Sequence, residues 1–313
     1  MARPLIPVFA ITLPLLWLGL AEGYGHWAAT HWLFTYEGGV IKRGLPGSLL
    51  SLALPQISAE AMVAHQRTIA YITCLTFALL VASGVPAKGP PLANLSLCAV
   101  LLTAPGTLQQ VLHDLGRFDA LGLILLCAAT HATLRWRAKP AFAACLICAT
   151  LAILVHEAFA IWVAPLAFSL WIWRHGPSPR TLIPAIGAAI LLLGLTTLIA
   201  HQNYAAQMPF DTSLAQLQER ASFSISESSL RVQYRDLNAN LTYTVAKAWG
   251  PERWFGLGSA ALLLGAWFLV ILSLPAPPRG RPIAALALSL LPLGLMTVGH
   301  DHGRWCAMVN ASL

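Results

Sequence analysis

The stretch AFAACLICATLAILVHEAFAIWVAPLAFSLWIW, residues Ala141 to Trp173, contains no Asp, Glu, Lys, Arg or His except the adjacent pair His156-Glu157. An apolar run flanks that pair on each side, Ala141–Val155 and Ala158–Trp173. A helix needs about 20 apolar residues to cross a hydrocarbon layer roughly 30 Å thick, a length each run reaches only with its flanks. The stretch therefore reads as two membrane spans joined by a very tight hairpin, with His156-Glu157 at its tip or at membrane depth. An ionisable side chain at that depth costs roughly 2.5–3.5 kcal/mol on insertion scales and marks a functional position by default. The plainer alternative is a solvated, locally capped hairpin tip.

The rest of the chain has the same grain. Of 313 residues, 57% are hydrophobic and only 10% charged, and the mean hydropathy is +0.68. Soluble domains carry about 25% charged residues, and a core of this size cannot hide so much apolar surface. The reading is an all-α polytopic membrane protein, a single integral domain over residues 1–313. About nine transmembrane helices are expected, near Leu5–Ala21, Ile69–Val85, Pro91–Ala104, Asp119–Leu134, Ala141–Val155, Ala158–Trp173, Thr181–Ala200, Trp254–Leu274 and Pro282–Gly299. The first apolar run lacks a small-residue cleavage site and reads as a retained span. The apolar residues just before Leu313 suggest that further chain follows.

Charge then gives an orientation. With the N-terminus inside, the inner loops take Arg3, Lys88, Arg135, Arg137, Lys139, Arg174, Arg180, Arg279 and Arg281, and no acid. All twelve acids fall on the outer side. The positive-inside rule makes the acid-free side cytoplasmic, as expected in a bacterial inner membrane. The net charge of +7 matches topology and anionic lipid headgroups; scattered basic residues without a nucleic-acid motif exclude nucleic acid as partner. Six cysteines lie mostly in apolar runs, and Cys145 and Cys148 read as small packing residues rather than a redox or metal pair.

Every candidate chemical group thus shares the outer face. The first outer loop holds Tyr36-Glu37-Gly38-Gly39-Val40-Ile41-Lys42-Arg43-Gly44. The short, largely apolar piece Leu45–Leu54 follows; at ten residues it is too short to cross and reads as a re-entrant or interfacial helix. Later outer segments hold His113-Asp114-Leu115-Gly116-Arg117-Phe118-Asp119, then His156-Glu157, then a longer polar loop at Gln202–Arg253, then His300-Asp301-His302-Gly303-Arg304-Trp305. In the long loop one or two short helices are expected, one of them capped near Asp211 or Ser213. Arg43, Arg117 and Arg304 each stand beside a glycine and near a carboxylate. The planar guanidinium matches phosphate oxygens bidentately, so their convergence would make a phosphate pocket; structural salt bridges are the alternative. The His, Asp and Glu residues would suffice for a divalent metal, but no spacing is a known signature. The metal question stays open, and the chemistry requires no other cofactor. No nucleophile elbow or nucleotide-binding loop is present.

This arrangement resembles the GT-C class of membrane glycosyltransferases and the related bacterial polysaccharide polymerases. The resemblance covers topology and the placement of Glu37, Arg43, Arg117, Asp119, Glu157 and Arg304. That class carries an acidic residue in the first outer loop, typically aspartate, where this chain has Glu37 followed by glycines. The resemblance implies transfer of a sugar from a polyprenyl-phosphate donor to a glycan acceptor, at the membrane and on its outer face. Glu37, Asp119 or Glu157 would be the general base. Lys42, Arg43, Arg117 and Arg304, with His156, Asp301 and His302, would hold the substrate. Two other classes remain in view. A transporter or flippase would need polar groups deep in several spans, where few are found, and a non-enzymatic assembly factor would need no acid-base cluster. The oligomeric state, the sugar and the lipid carrier stay unassigned.

Overall fold

A computed structural model describes residues 5–21, 25–84, 108–113, 115–202 and 204–235, together with residues 98, 99, 102, 238, 239 and 242. The described residues are helical, and their only strand-like pairing is one parallel bridge between Ile57 and Ala221. The helices are α1 (Leu5–Ala21), α2 (His26–His31), α3 (Gly44–Ala53), α4 (Ala59–Gly84), α5 (Leu108–His113), α6 (Asp119–Arg135), α7 (Ala138–Val155), α8 (Val163–His175), α9 (Pro179–Ala200), α10 (Tyr204–Gln207), α11 (Phe210–Arg220) and α12 (Glu227–Gln233). Short 3-10 turns occupy Tyr36–Gly38 and Glu157–Ile161.

Among the described residues, three helices have the length and apolar composition to cross a membrane: the Ala59–Ser83 part of α4, α7 and α9. α7 shows how such a helix is built. Its buried residues Ala141, Cys145, Cys148, Ala149 and Ala152 recur at helical spacing and form one small-residue face. Small side chains let neighbouring helices approach closely in lipid, and α7 packs on α6 and α8 along this face. The opposite side presents Ile147 and Leu151, both exposed. Cys145 is held by Thr133 Oγ1 at 3.3 Å, so the CxxC spacing serves packing. α9 opens at Pro179, and the Ser178 N–H donates to Thr181 Oγ1 at 3.0 Å. Exposed Ile183, Ile186, Ile190 and Leu193 then leave much of its surface apolar, as a lipid-bathed helix requires.

Several expectations are corrected in detail. α4 begins ten residues before the apolar stretch expected at Ile69, because Ser58 Oγ accepts from Ala61 N–H at 3.1 Å and starts the helix there. Its 26 residues reach roughly 39 Å, more than a hydrocarbon layer needs. The expected span Ala158–Trp173 is broken: its first residues form the 3-10 turn, and α8 starts only at Val163. In the long loop, the expected cap at Ser213 lies inside α11, which starts at Phe210. Buried Ser213 instead bonds the Tyr204 and Tyr234 hydroxyls at 3.2 and 2.7 Å. The short helix expected in the first loop is present as α3, with Leu49 and Leu52 exposed. The spans expected at Trp254–Leu274 and Pro282–Gly299, and most of Pro91–Ala104, lie outside the described residues.

Candidate functional site

Four segments read from the sequence as outer loops are joined through the first of them, residues 25–58. Residues 25–58 supply α2, the 3-10 turn at Tyr36–Gly38 and α3; residues 115–118 and 156–162 supply two turns; residues 204–235 pack on the first segment. Ser229 Oγ donates to the Trp27 carbonyl at 2.9 Å and Ser226 N–H to Thr30 Oγ1 at 2.9 Å, which clasps α12 to α2. Trp32 Nε1 donates to the Gly116 carbonyl at 2.6 Å and ties the second turn to the first loop. Gly116 has φ +89°, and a Cβ there would collide with Gln66, so glycine is required at this point. On the acid-free side, Trp171 Nε1 donates to the Ala138 carbonyl at 2.9 Å, so the ends of α8 and α6–α7 also meet.

At the junction stands Arg43. Its φ of +63° places it in the left-handed region, a conformation that costs a side-chain-bearing residue about 1–2 kcal/mol. The strain is offset by what the side chain reaches. Arg43 Nη2 donates to Glu157 Oε1 at 3.4 Å, and Nη1 lies 3.5 Å from His31 Nε2. Arg43 and Glu157 keep only 11% and 21% of their side-chain surfaces. Burial pushes the Glu157 carboxyl pKa upward, but Arg43, then Lys42, then its hydrogen bonds outweigh burial, and the net pKa lies below the ordinary carboxylate value. Lys42 is itself buried, and its Nζ donates to the Arg235 carbonyl at 2.8 Å.

His156 caps the 3-10 turn. Its Nδ1 accepts from Ala158 N–H at 3.1 Å and also lies 3.5 Å from Glu157 Oε2. One nitrogen cannot accept from the backbone and donate to the carboxylate together, and the shorter contact decides. The neutral ring therefore carries its proton on Nε2. Trp27, His31, Arg43, Gly116, Arg117, Phe118 and His156 enclose a common space of about 10 Å³, room for about one water. The Arg117 guanidinium stacks over the Trp27 ring at 5.0 Å. Asp119, buried in the first turn of α6, follows immediately.

The structure thus brings together Lys42, Arg43, Arg117, His156 and Glu157; Asp119 follows Phe118 in the chain and is buried at the start of α6. Glu37 does not join them: it is exposed on its 3-10 turn and faces a separate cleft. Asp301, His302 and Arg304 lie outside the described residues, as does Asp114. Among the described residues, no three His, Cys, Asp or Glu side chains form a group able to hold a metal ion. Two participants were not singled out from sequence. His31 is wedged between Trp27 and Phe34, at centroid distances of 4.2 and 5.2 Å. Its only sequence signal is the i, i+4 pairing with Trp27 on a short aromatic helix. Trp27 carries no local sequence signal that sets it apart from the other tryptophans of the chain. The chain matches no protein-family model, no curated protein and no solved structure.

Proposed function

We propose that this chain is a membrane-embedded glycosyltransferase of about nine spans, using a polyprenyl-phosphate-linked sugar on the extracytoplasmic face. The observation that carries this reading is the meeting of Arg43, Arg117 and Lys42 with Glu157, His156 and His31 at the ends of apolar helices. Cationic side chains beside the ends of apolar helices suit a phosphate joined to a hydrocarbon tail. Arg117 and Arg43 hold the phosphate and stabilise it as it leaves, and the His156 Nε2 proton adds a donor. The present space is smaller than a phosphate, so headgroup binding moves Arg117 off the Trp27 face. Glu157, held ionised and weakly basic, positions Arg43 instead of abstracting a proton. The general-base role passes to Asp119, the buried carboxylate adjoining Arg117 and Phe118. No cytoplasmic energy source is needed, because the donor carries its own activated bond.

The test is sugar transfer in membranes containing Arg43→Ala or Arg117→Ala protein, with a radiolabelled polyprenyl-phosphate sugar. Loss of one charge-assisted contact corresponds to about tenfold or more in rate. Transfer at the unmodified level in both variants would remove the cluster from the reaction.

A further inference from the structure

A second, chemically different cavity adjoins the first loop. The cleft of about 330 Å³ lies between the Tyr36–Gly38 turn and α11, at the lower end of the roughly 300–1,000 Å³ usual for ligand pockets. One wall is a helical stripe, Ser213, Gln216, Leu217 and Arg220, at i, i+3, i+4 and i+7. Glu219 adds a carboxylate, Glu37 a second from the facing turn, and Phe34, Tyr204 and Met208 add apolar surface. Gly38 brings backbone close to Met208, where a Cβ would collide.

The balance of charge separates this cleft from the Arg43 cluster. Two carboxylates face one guanidinium, so an anion is disfavoured here, and the guanidinium disfavours a cation. Arg220 Nη1 donates to the Leu33 carbonyl at 2.7 Å. Its Nη2 is shielded from bulk water and bonds nothing among the described residues. A buried donor left over in this way favours a ligand oxygen. Carboxylates and an amide supply acceptors, Arg220 a donor, and the aromatic and thioether groups an apolar face. That combination fits a molecule whose hydroxyls both donate and accept and whose ring carbons are apolar.

We propose that this cleft binds an uncharged sugar ring, at a site distinct from the cationic cluster. The loop 35–43 joins the two, with Glu37 and Gly38 facing one and Arg43 the other. Binding stands by itself; the role of acceptor position in the transfer proposed above rests on that reading.

The experiment uses the full chain in lipid nanodiscs, free of sugar-headed detergent. Methyl glucoside, methyl N-acetylglucosaminide and methyl rhamnoside are offered in saturation-transfer NMR, and inorganic phosphate in a parallel phosphorus-NMR titration. The expected result is saturation of at least one glycoside, weakened about tenfold or more by Gln216→Ala and by Glu219→Gln, with the phosphate response unchanged. Both residues are exposed on α11, so neither replacement removes packing. No saturation of any of the three glycosides, or a signal equal to wild type in both variants, overturns the proposal. Glycoside binding in a protein without transfer activity would sink the transferase reading and leave this one standing.

Discussion

Arg43 is the residue at which backbone and side-chain energetics conflict, which makes it the sharpest test. Arg43→Gly relieves the left-handed strain yet deletes the guanidinium. Arg43→Ala keeps the strain and leaves Glu157 with its nearest charge gone. Breaking a buried pair costs roughly 3–5 kcal/mol, reduced here because Glu157 keeps about a fifth of its surface. The alanine variant should therefore melt lower than the glycine variant, and both lower than wild type, in a thermal unfolding series. A glycine variant melting below the alanine variant would mean that the left-handed backbone is not strained. Glu157 adds a pH dependence of known sign. Its folded pKa lies below the unfolded value, near 4.3, so its stabilisation is present above that pH and fades as pH falls through the folded pKa. Melting curves between neutral and acid pH should drop less steeply for Glu157→Gln than for wild type. Identical slopes would contradict the depressed pKa. In sequence, His156-Glu157 stood out because two ionisable residues interrupt an apolar run. Arg43 stood out only through its glycine neighbour, and His31 hardly at all, since its role depends on rings from α2, Phe34 and Phe118 that no spacing connects.

Among the elements, α3 is seated directly on backbone. Gly47 lies against the Phe34 and Trp32 carbonyls, so near that a Cβ would overlap backbone atoms. Backbone cannot step aside as a flexible side chain can, so Gly47→Val should displace α3 and loosen the 34–43 loop that bears Arg43. A proteolysis time course should show faster cleavage in residues 34–54 of this variant than of wild type; an equal rate would mean α3 is not held there. The boundaries of α3, α6, α7 and α9 were readable within a few residues, because apolar runs, Pro179 and the basic residues after α6 punctuate them. The start of α4 was not, since its first turns carry Glu60, His65, Gln66 and Arg67 and look like loop by hydropathy. They are helical because Met62 and Gln66 are buried against neighbouring turns. The break before α8 was hidden for the opposite reason: the 3-10 residues Ala158–Ile161 are as apolar as the helix that follows.

For the whole molecule, the alternation of charge makes a prediction independent of any enzyme activity. Segments 115–118, 156–162 and 204–235 are each joined to residues 25–58, while the ends of α6, α7 and α8 near Ala138 and Trp171 meet elsewhere. Reporter fusions after Lys139 and after Gln202 should therefore report opposite compartments, the first cytoplasmic by the positive-inside rule. The same compartment for both would dissolve the common face.

By itself, the amino-acid order determined that the described residues are helical and that some of their helices are long and apolar enough for lipid. Those properties are sums over many residues, and hydrophobic composition survives errors in any one boundary. Tertiary structure alone decided which loop residues touch. It joined Arg43 to Glu157 across the chain and set Arg117 on Trp27. It also turned Glu37 away into a cleft with Arg220. Such contacts depend on a left-handed residue, a glycine seat and the reach of single side chains, and none of these leaves a periodic trace in the sequence.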